Sequence, residues 1–270
     1  MRNVLITLLL AAHWGMALAQ EPIIAPDLPQ RLARWRSVRM PFNSANLSSR
    51  EMELTDKLVQ ALREVENIFW RQNDPEAIEL YDALSGSGSA EERNLRRLFF
   101  INAGRWDFLD DNKPFVGKEP LPPGRGLYPS GLTRAEIERY VKQHPEKKAE
   151  LYSPTTVIER KGKELQGIPY HTAYKEFLEP AAEALRQAAA LSDDEAFAEF
   201  LRLRADALLS DDYYKSDLAW LDLKNPKFDL ILAPYETYLD GLLVAIEKTG
   251  EPGLRIGDYL RALNEVTIVD

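Results

Sequence analysis

The sequence predicts a mainly helical chain with a small β element, an α+β fold. Three observations carry that reading. Apolar residues recur at steps of three and four in several segments, as in Leu54, Leu58, Ala61, Val65 and Phe69. Helix-start signals stand before those segments: Ser48 with Glu51, Ser89 with Glu92, Thr133 with Glu136. Strand-like text is confined to Thr155–Arg160, Leu165–Tyr170 and Phe228–Ala233.

Residues 20–46 hold Pro22, Pro26, Pro29 and Pro41, and read as an irregular lead-in. Ser48-Ser49-Arg50-Glu51 then opens a helix from about 49 to 71. Asp74-Pro75-Glu76 starts a shorter one, with Asp as cap and Pro at the first helical position. Ser85-Gly86-Ser87-Gly88-Ser89 is a flexible connector to a helix running through about Asn102, on which Arg93, Arg96 and Arg97 read as a solvated face. Residues 103–131 form a Gly- and Pro-rich loop whose glycines lack phosphate-loop spacing. Thr133 caps the next helix, which ends near His144-Pro145. The two strands that follow meet at Lys161-Gly162-Lys163. A helix from about 172 to 190 carries Pro180, which predicts a kink or break. Ser192 and Glu195 cap another, with Phe197, Phe200, Leu201 and Leu208 inward. Asp211-Asp212 stands at the start of a short helix, and Phe228–Ala233 is a strand that Pro234 ends.

Arg2, the apolar run Val4–Ala12 and Ala17-Leu18-Ala19 read as a secretory signal cleaved after Ala19. Residues 1–19 are thus a leader, 20–243 the folded body and 244–270 a divergent tail. Export is expected, with no membrane span left after cleavage. The chain has no Cys, which excludes disulfides, Cys-held metals and thiol nucleophiles. A net charge of −9 argues against binding through nucleic-acid phosphates. The mature chain keeps two His, His144 and His171, too far apart for the paired imidazoles of an H-E-x-x-H helix. No metal ligands are therefore assigned.

The most informative stretch is Ser210–Gly241, in which a strand runs into Pro-Tyr-Glu-Thr-Tyr. With Ser153-Pro154-Thr155-Thr156-Val157-Ile158, Leu203–Leu209, Asp211–Tyr214, Asp217–Trp220 and Ala233–Tyr238, it resembles the dipeptidyl-peptidase III family of zinc metallopeptidases in its bacterial branch. The resemblance runs from about Leu47 to Leu243 and implies the first lobe of a two-lobed exopeptidase fold. It implies that Tyr238 stabilises the oxyanion at the scissile carbonyl, and that Glu236 faces the substrate's free α-amine. It leaves the strand backbone near Phe228–Ala233 to pair with an extended peptide. Zinc in the family is held by H-E-x-x-G-H on the second lobe, and this chain departs from the family text after Leu243. The expected function is a peptidase-family protein that carries the peptide-binding lobe without the zinc lobe. Its expected partners are short peptides and a zinc-bearing partner lobe, and the resemblance implies the bacterial periplasm as the compartment. The alternatives are a non-enzymatic exported peptide-binding or interaction protein, and a truncated gene product.

Overall fold

The computed structural model describes residues 23–39, 44–84, 88–234, 239–243 and the strand 266–268. The leader and its cleavage site lie outside the described residues, as does nearly all of 244–270. The chain is mainly α with small β elements, as the periodicity predicts. It divides into two compact units. One comprises Met1–Met40 and Trp70–Gly126, the other Pro41–Phe69 and Leu127–Asp270.

The first unit holds α1 (Leu28–Leu32), the last turn of α2 (Ser49–Asn73), α3 (Pro75–Ala83) and α4 (Ala90–Asn102). A hairpin of β1 (Trp106–Asp107) and β2 (Lys113–Pro114) follows. Neither α1 nor this hairpin was expected, because each is too short to show a period. Tertiary pairing makes them. Ala25 N–H donates to the Phe115 carbonyl, and Arg31 reaches the fully buried Asp107. Ser89 and Glu92 form the expected reciprocal cap of α4. Arg96 is a correction to the solvated face. Its guanidinium donates to the Tyr81 and Leu84 carbonyls and lies 4.0 Å over the Tyr81 ring. Carbonyls at the end of a helix keep accepting capacity that the helix does not fill, and a cation there suits the helix dipole. Arg93 and Arg97 are exposed.

The second unit carries the larger core. It holds the first five turns of α2, then α5 (Arg134–Gln143) and α6 (Lys148–Leu151). A hairpin of β3 (Thr156–Lys161) and β4 (Glu164–Pro169) turns at Gly162, whose φ of +64° is the left-handed conformation a tight hairpin needs. Next come α7 (Tyr170–Ala173), α8 (Lys175–Leu191), α9 (Glu195–Leu208), α10 (Tyr214–Leu221) and β5 (Phe228–Leu230). Leu54, Leu58, Ala61 and Val65 of α2 are all buried, and so are Phe197, Phe200, Leu201 and Leu208 of α9. Each large side chain of this kind contributes roughly 1.5–3 kcal/mol by leaving water. Small buried residues (Ala181, Ala184, Ala188, Ala198, Ala205) let α8 and α9 pack closely.

Three local expectations are revised. The helix break falls at Tyr174, between α7 and α8, and α8 continues through Pro180. Pro180 removes one N–H that would have reached the Glu176 carbonyl, but both residues are exposed and water can serve that carbonyl. The cap of α9 is Asp194, whose carboxylate accepts from Ala196 and Phe197 N–H, while the Ser192 hydroxyl bonds to Asp194's own backbone. The strand after residue 227 is shorter than its apolar text. β5 spans Phe228–Leu230 and pairs antiparallel with β6 (Val266–Ile268), which sets Phe228 opposite Ile268.

Candidate functional site

Glu236 and Tyr238 lie in residues 235–238, outside the described residues. What the structure gives is the ground on either side, all within the second unit. On the N-terminal side Phe228, Leu230, Leu232 and Ala233 are buried, and Pro234 follows them inside. Alternation explains this. Phe228 and Leu230 share the core face of β5, while Asp229 points the other way and its Oδ1 accepts from the Trp220 indole N–H at 2.8 Å. The indole ties α10 to β5. The backbone of β5 that the sequence left for an extended peptide is paired along one edge with β6 over Phe228–Leu230.

On the C-terminal side the chain is fastened at once. Leu239 and Asp240 are buried, at 5% and 3% exposure. Asp240 Oδ1 accepts the backbone N–H groups of Leu242 (3.0 Å) and Leu243 (2.8 Å). Its Oδ2 accepts the Tyr128 hydroxyl at 2.8 Å. A carboxylate that receives its own backbone two and three residues on makes an Asx turn. Sequence reasoning missed both residues. The Asp240-Gly241 dipeptide carried the turn signal, but nothing local pointed to Tyr128, 112 positions earlier.

His144 and His171 are engaged separately. His144 closes α5, stacks on Tyr140 at 4.4 Å between ring centroids and sits 3.5 Å from Glu146. His171 starts α7 in the expected way, but it is half-buried. Its Nδ1 is 2.7 Å from Asp211 Oδ2, and its backbone N–H donates to the same carboxylate. Asp211 thus serves α7, while Asp212 accepts the first N–H of α10. No three His, Cys, Asp or Glu side chains gather as a metal-binding group among the described residues. The donor set they offer does not fit a zinc centre, whose ligands number three or four.

Burial pushes the Asp211 carboxyl above its ordinary value of 3.8, and the hydrogen bonds from His171 pull it back only in part. A carboxyl raised in the folded state binds its proton more tightly there than in the unfolded chain. Its contribution to stability is therefore present at low pH and lost as pH rises through that window. Asp211→Asn should make stability climb more steeply than in the parent as pH rises above the ordinary carboxyl value of 3.8. Urea unfolding across that range measures the slope, and an unchanged slope would rule the assignment out.

Tyr214, Leu218 and Leu221 recur at steps of four and three along α10, and all are exposed. No helix among the described residues is long and apolar enough to cross a membrane.

No family model matches the chain. Two solved structures are similar to it. One is DPP III from Caldithrix abyssi, with a TM-score of 0.77 and 35% identity over 80% of this chain and 41% of that one. The other is dipeptidyl-peptidase III from Corallococcus sp. strain EGB, with a TM-score of 0.74 and 32% identity over 80% of this chain and 40% of that one. The chain is also 27% identical over 266 residues to Nudix hydrolase 3 of Arabidopsis thaliana, covering 79% of this chain and 34% of that protein. It therefore spans about two fifths of the solved chains and a third of the plant protein. The described chain is a dipeptidyl-peptidase III-like lobe, mainly helical with small β elements.

Proposed function

We propose that this lobe grips the N-terminal end of short peptides in the manner of a dipeptidyl-peptidase III-type exopeptidase. Glu236 meets the free α-amine as an ion pair. The Tyr238 hydroxyl donates to the carbonyl oxygen where charge develops, a role a phenol performs without adding a permanent charge. The observation that carries the reading is the shared fold and identity with two solved dipeptidyl-peptidase III chains. Added support comes from the burial of Pro234 and Leu239, the residues on either side of this text.

Hydrolysis by a metal-activated water needs ligands that the described residues do not supply. In this proposal they come from a zinc-bearing partner lobe, and the exposed apolar stripe of α10 gives a helix face of the kind such partners cover. Without that partner the lobe acts as a peptide-binding protein. Export to the periplasm belongs to the same proposal, and the mature chain should begin at Gln20 when its N-terminus is sequenced.

Calorimetric titration with tetra-alanine tests the binding role. Glu236→Gln should weaken binding tenfold to a hundredfold, about 1.5–3 kcal/mol for a charge-assisted contact. N-acetylation of the peptide should cost the parent protein a similar amount and add little to the variant's loss. Equal affinity for the free and acetylated peptides would refute the role of Glu236. No binding by the parent at millimolar peptide would refute the peptide-gripping function itself.

A further inference from the structure

We infer that β6 is a built-in competitor: it occupies an edge of β5 that an extended peptide ligand uses, and such ligands bind by displacing it. The inference rests on the proposed function for its ligand, while the strand pairing stands apart from that reading. Val266–Ile268 runs antiparallel to Phe228–Leu230, with Phe228 opposite Ile268, Asp229 opposite Thr267 and Leu230 opposite Val266. This is the geometry of strand addition, in which an extended segment is recognised through main-chain N–H and C=O groups. Backbone pairing reads no particular side chain. A strand of this chain and a peptide of another sequence therefore satisfy the same groups of β5, and they cannot do so together.

Receiver and occupant are held differently. β5 has anchors besides β6. The Phe228 ring stacks on Phe197 of α9, with centroids 6.2 Å apart. Asp229 Oδ1 accepts from the Trp220 indole of α10 and from the Leu230 N–H, each at 2.8 Å. The hold on β6 is lighter. Its pairing is three residues long, and among the described residues the sheet has two strands. So short a two-stranded ladder is marginal on its own. Val266, Thr267 and Ile268 are all β-branched, which favours the extended form that a competing strand needs. Carriage on the same chain raises the effective concentration of β6 at β5, so a weak pairing suffices to compete. The apparent affinity for a free peptide then falls in proportion to the fraction of molecules whose β5 edge is open.

The test uses the full chain. The double variant Val266→Pro/Thr267→Pro removes two neighbouring N–H groups. Neighbouring N–H groups point to opposite edges of a strand, so a ladder donor is lost whichever edge faces β5. Calorimetric titration with tetra-alanine should show the variant binding about tenfold tighter than the parent, the gain expected if β6 covers β5 roughly nine-tenths of the time. Equal or weaker affinity in a folded variant overturns the inference. A second measurement needs no substitution. Saturating tetra-alanine should speed amide exchange of Val266–Ile268 in the parent while α9 stays protected, and unchanged exchange in β6 overturns the inference even if the variant fails to fold. If tetra-alanine binds neither protein, the peptide-gripping function fails, and the synthetic peptide Asn-Glu-Val-Thr-Ile-Val-Asp, residues 264–270, decides the strand exchange alone. Binding to the variant that is about tenfold weaker in the parent upholds β6 as a displaceable occupant. Equal binding to both, or none to the variant, overturns it.

Discussion

Asp217→Ala is expected to lower the unfolding free energy by about 2–3 kcal/mol, more than Arg204→Met does. Arg204 is fully buried in α9, and its guanidinium donates to Asp217 Oδ1 of α10 at 2.6 Å. It also lies over the rings of Phe200 and Tyr213, at 5.3 and 5.5 Å. Removing the carboxylate takes the ion-pair partner away from a fully buried cation, which for a wholly buried pair costs about 3–5 kcal/mol. The Asp217 side chain is 39% exposed, so water offsets part of that cost. Arg204→Met removes the cation but keeps most of the side-chain volume, and the Asp217 left behind is still hydrated, so its loss should stay below about 1.5 kcal/mol. Chemical unfolding of the two variants checks the order, and a larger loss in Arg204→Met would show that packing outweighs charge. The contact bears on the candidate site because α10 also carries Trp220, whose indole holds β5 through Asp229.

Gly126→Ala should be the most damaging small substitution in the first unit, with a loss of about 3 kcal/mol or failure to fold. A Cβ at Gly126 would overlap the Arg71 backbone carbonyl oxygen and stand 3.0 Å from Pro75 Cδ. The carbonyl belongs to the last turn of α2 and cannot rotate aside as a side chain would. Gly117→Ala is the informative comparison. Gly117 has a φ of +82°, and a methyl group there would meet nothing within 4 Å, so the substitution carries backbone strain alone, about 1 kcal/mol. Urea midpoints should rank Gly126→Ala well below Gly117→Ala. The reverse order would mean that the chain around 126 shifts freely away from α2.

The legible parts of this chain are those set within one turn of helix. Ser48 with Glu51, Ser89 with Glu92 and Thr133 with Glu136 each bond as their spacing predicts. The turn at Gly162 joins the two strands read on either side of it. Errors came where a nearby and a distant partner competed for one group. Ser192 and Asp194 both suit a cap, and the carboxylate took it. Arg96 had the spacing of a solvent-facing residue, yet the end of α3 offered it two carbonyls. Asp211 had the place of a dipole-facing residue before α10, and it bonds His171 across 40 positions.

The sequence by itself determined where α2, α3, α4 and α5 begin, which of their faces are apolar, that thiol chemistry is absent and that no paired imidazoles share a helix. These follow from forces acting over three or four residues and from side-chain inventory. Only the tertiary structure decided which polar groups are already committed: Arg204 to Asp217, His171 to Asp211, Trp220 to Asp229, and above all Tyr128 to Asp240. A buried hydrogen bond forms when the return of the chain brings donor and acceptor to the same dry place, and no local pattern records that meeting.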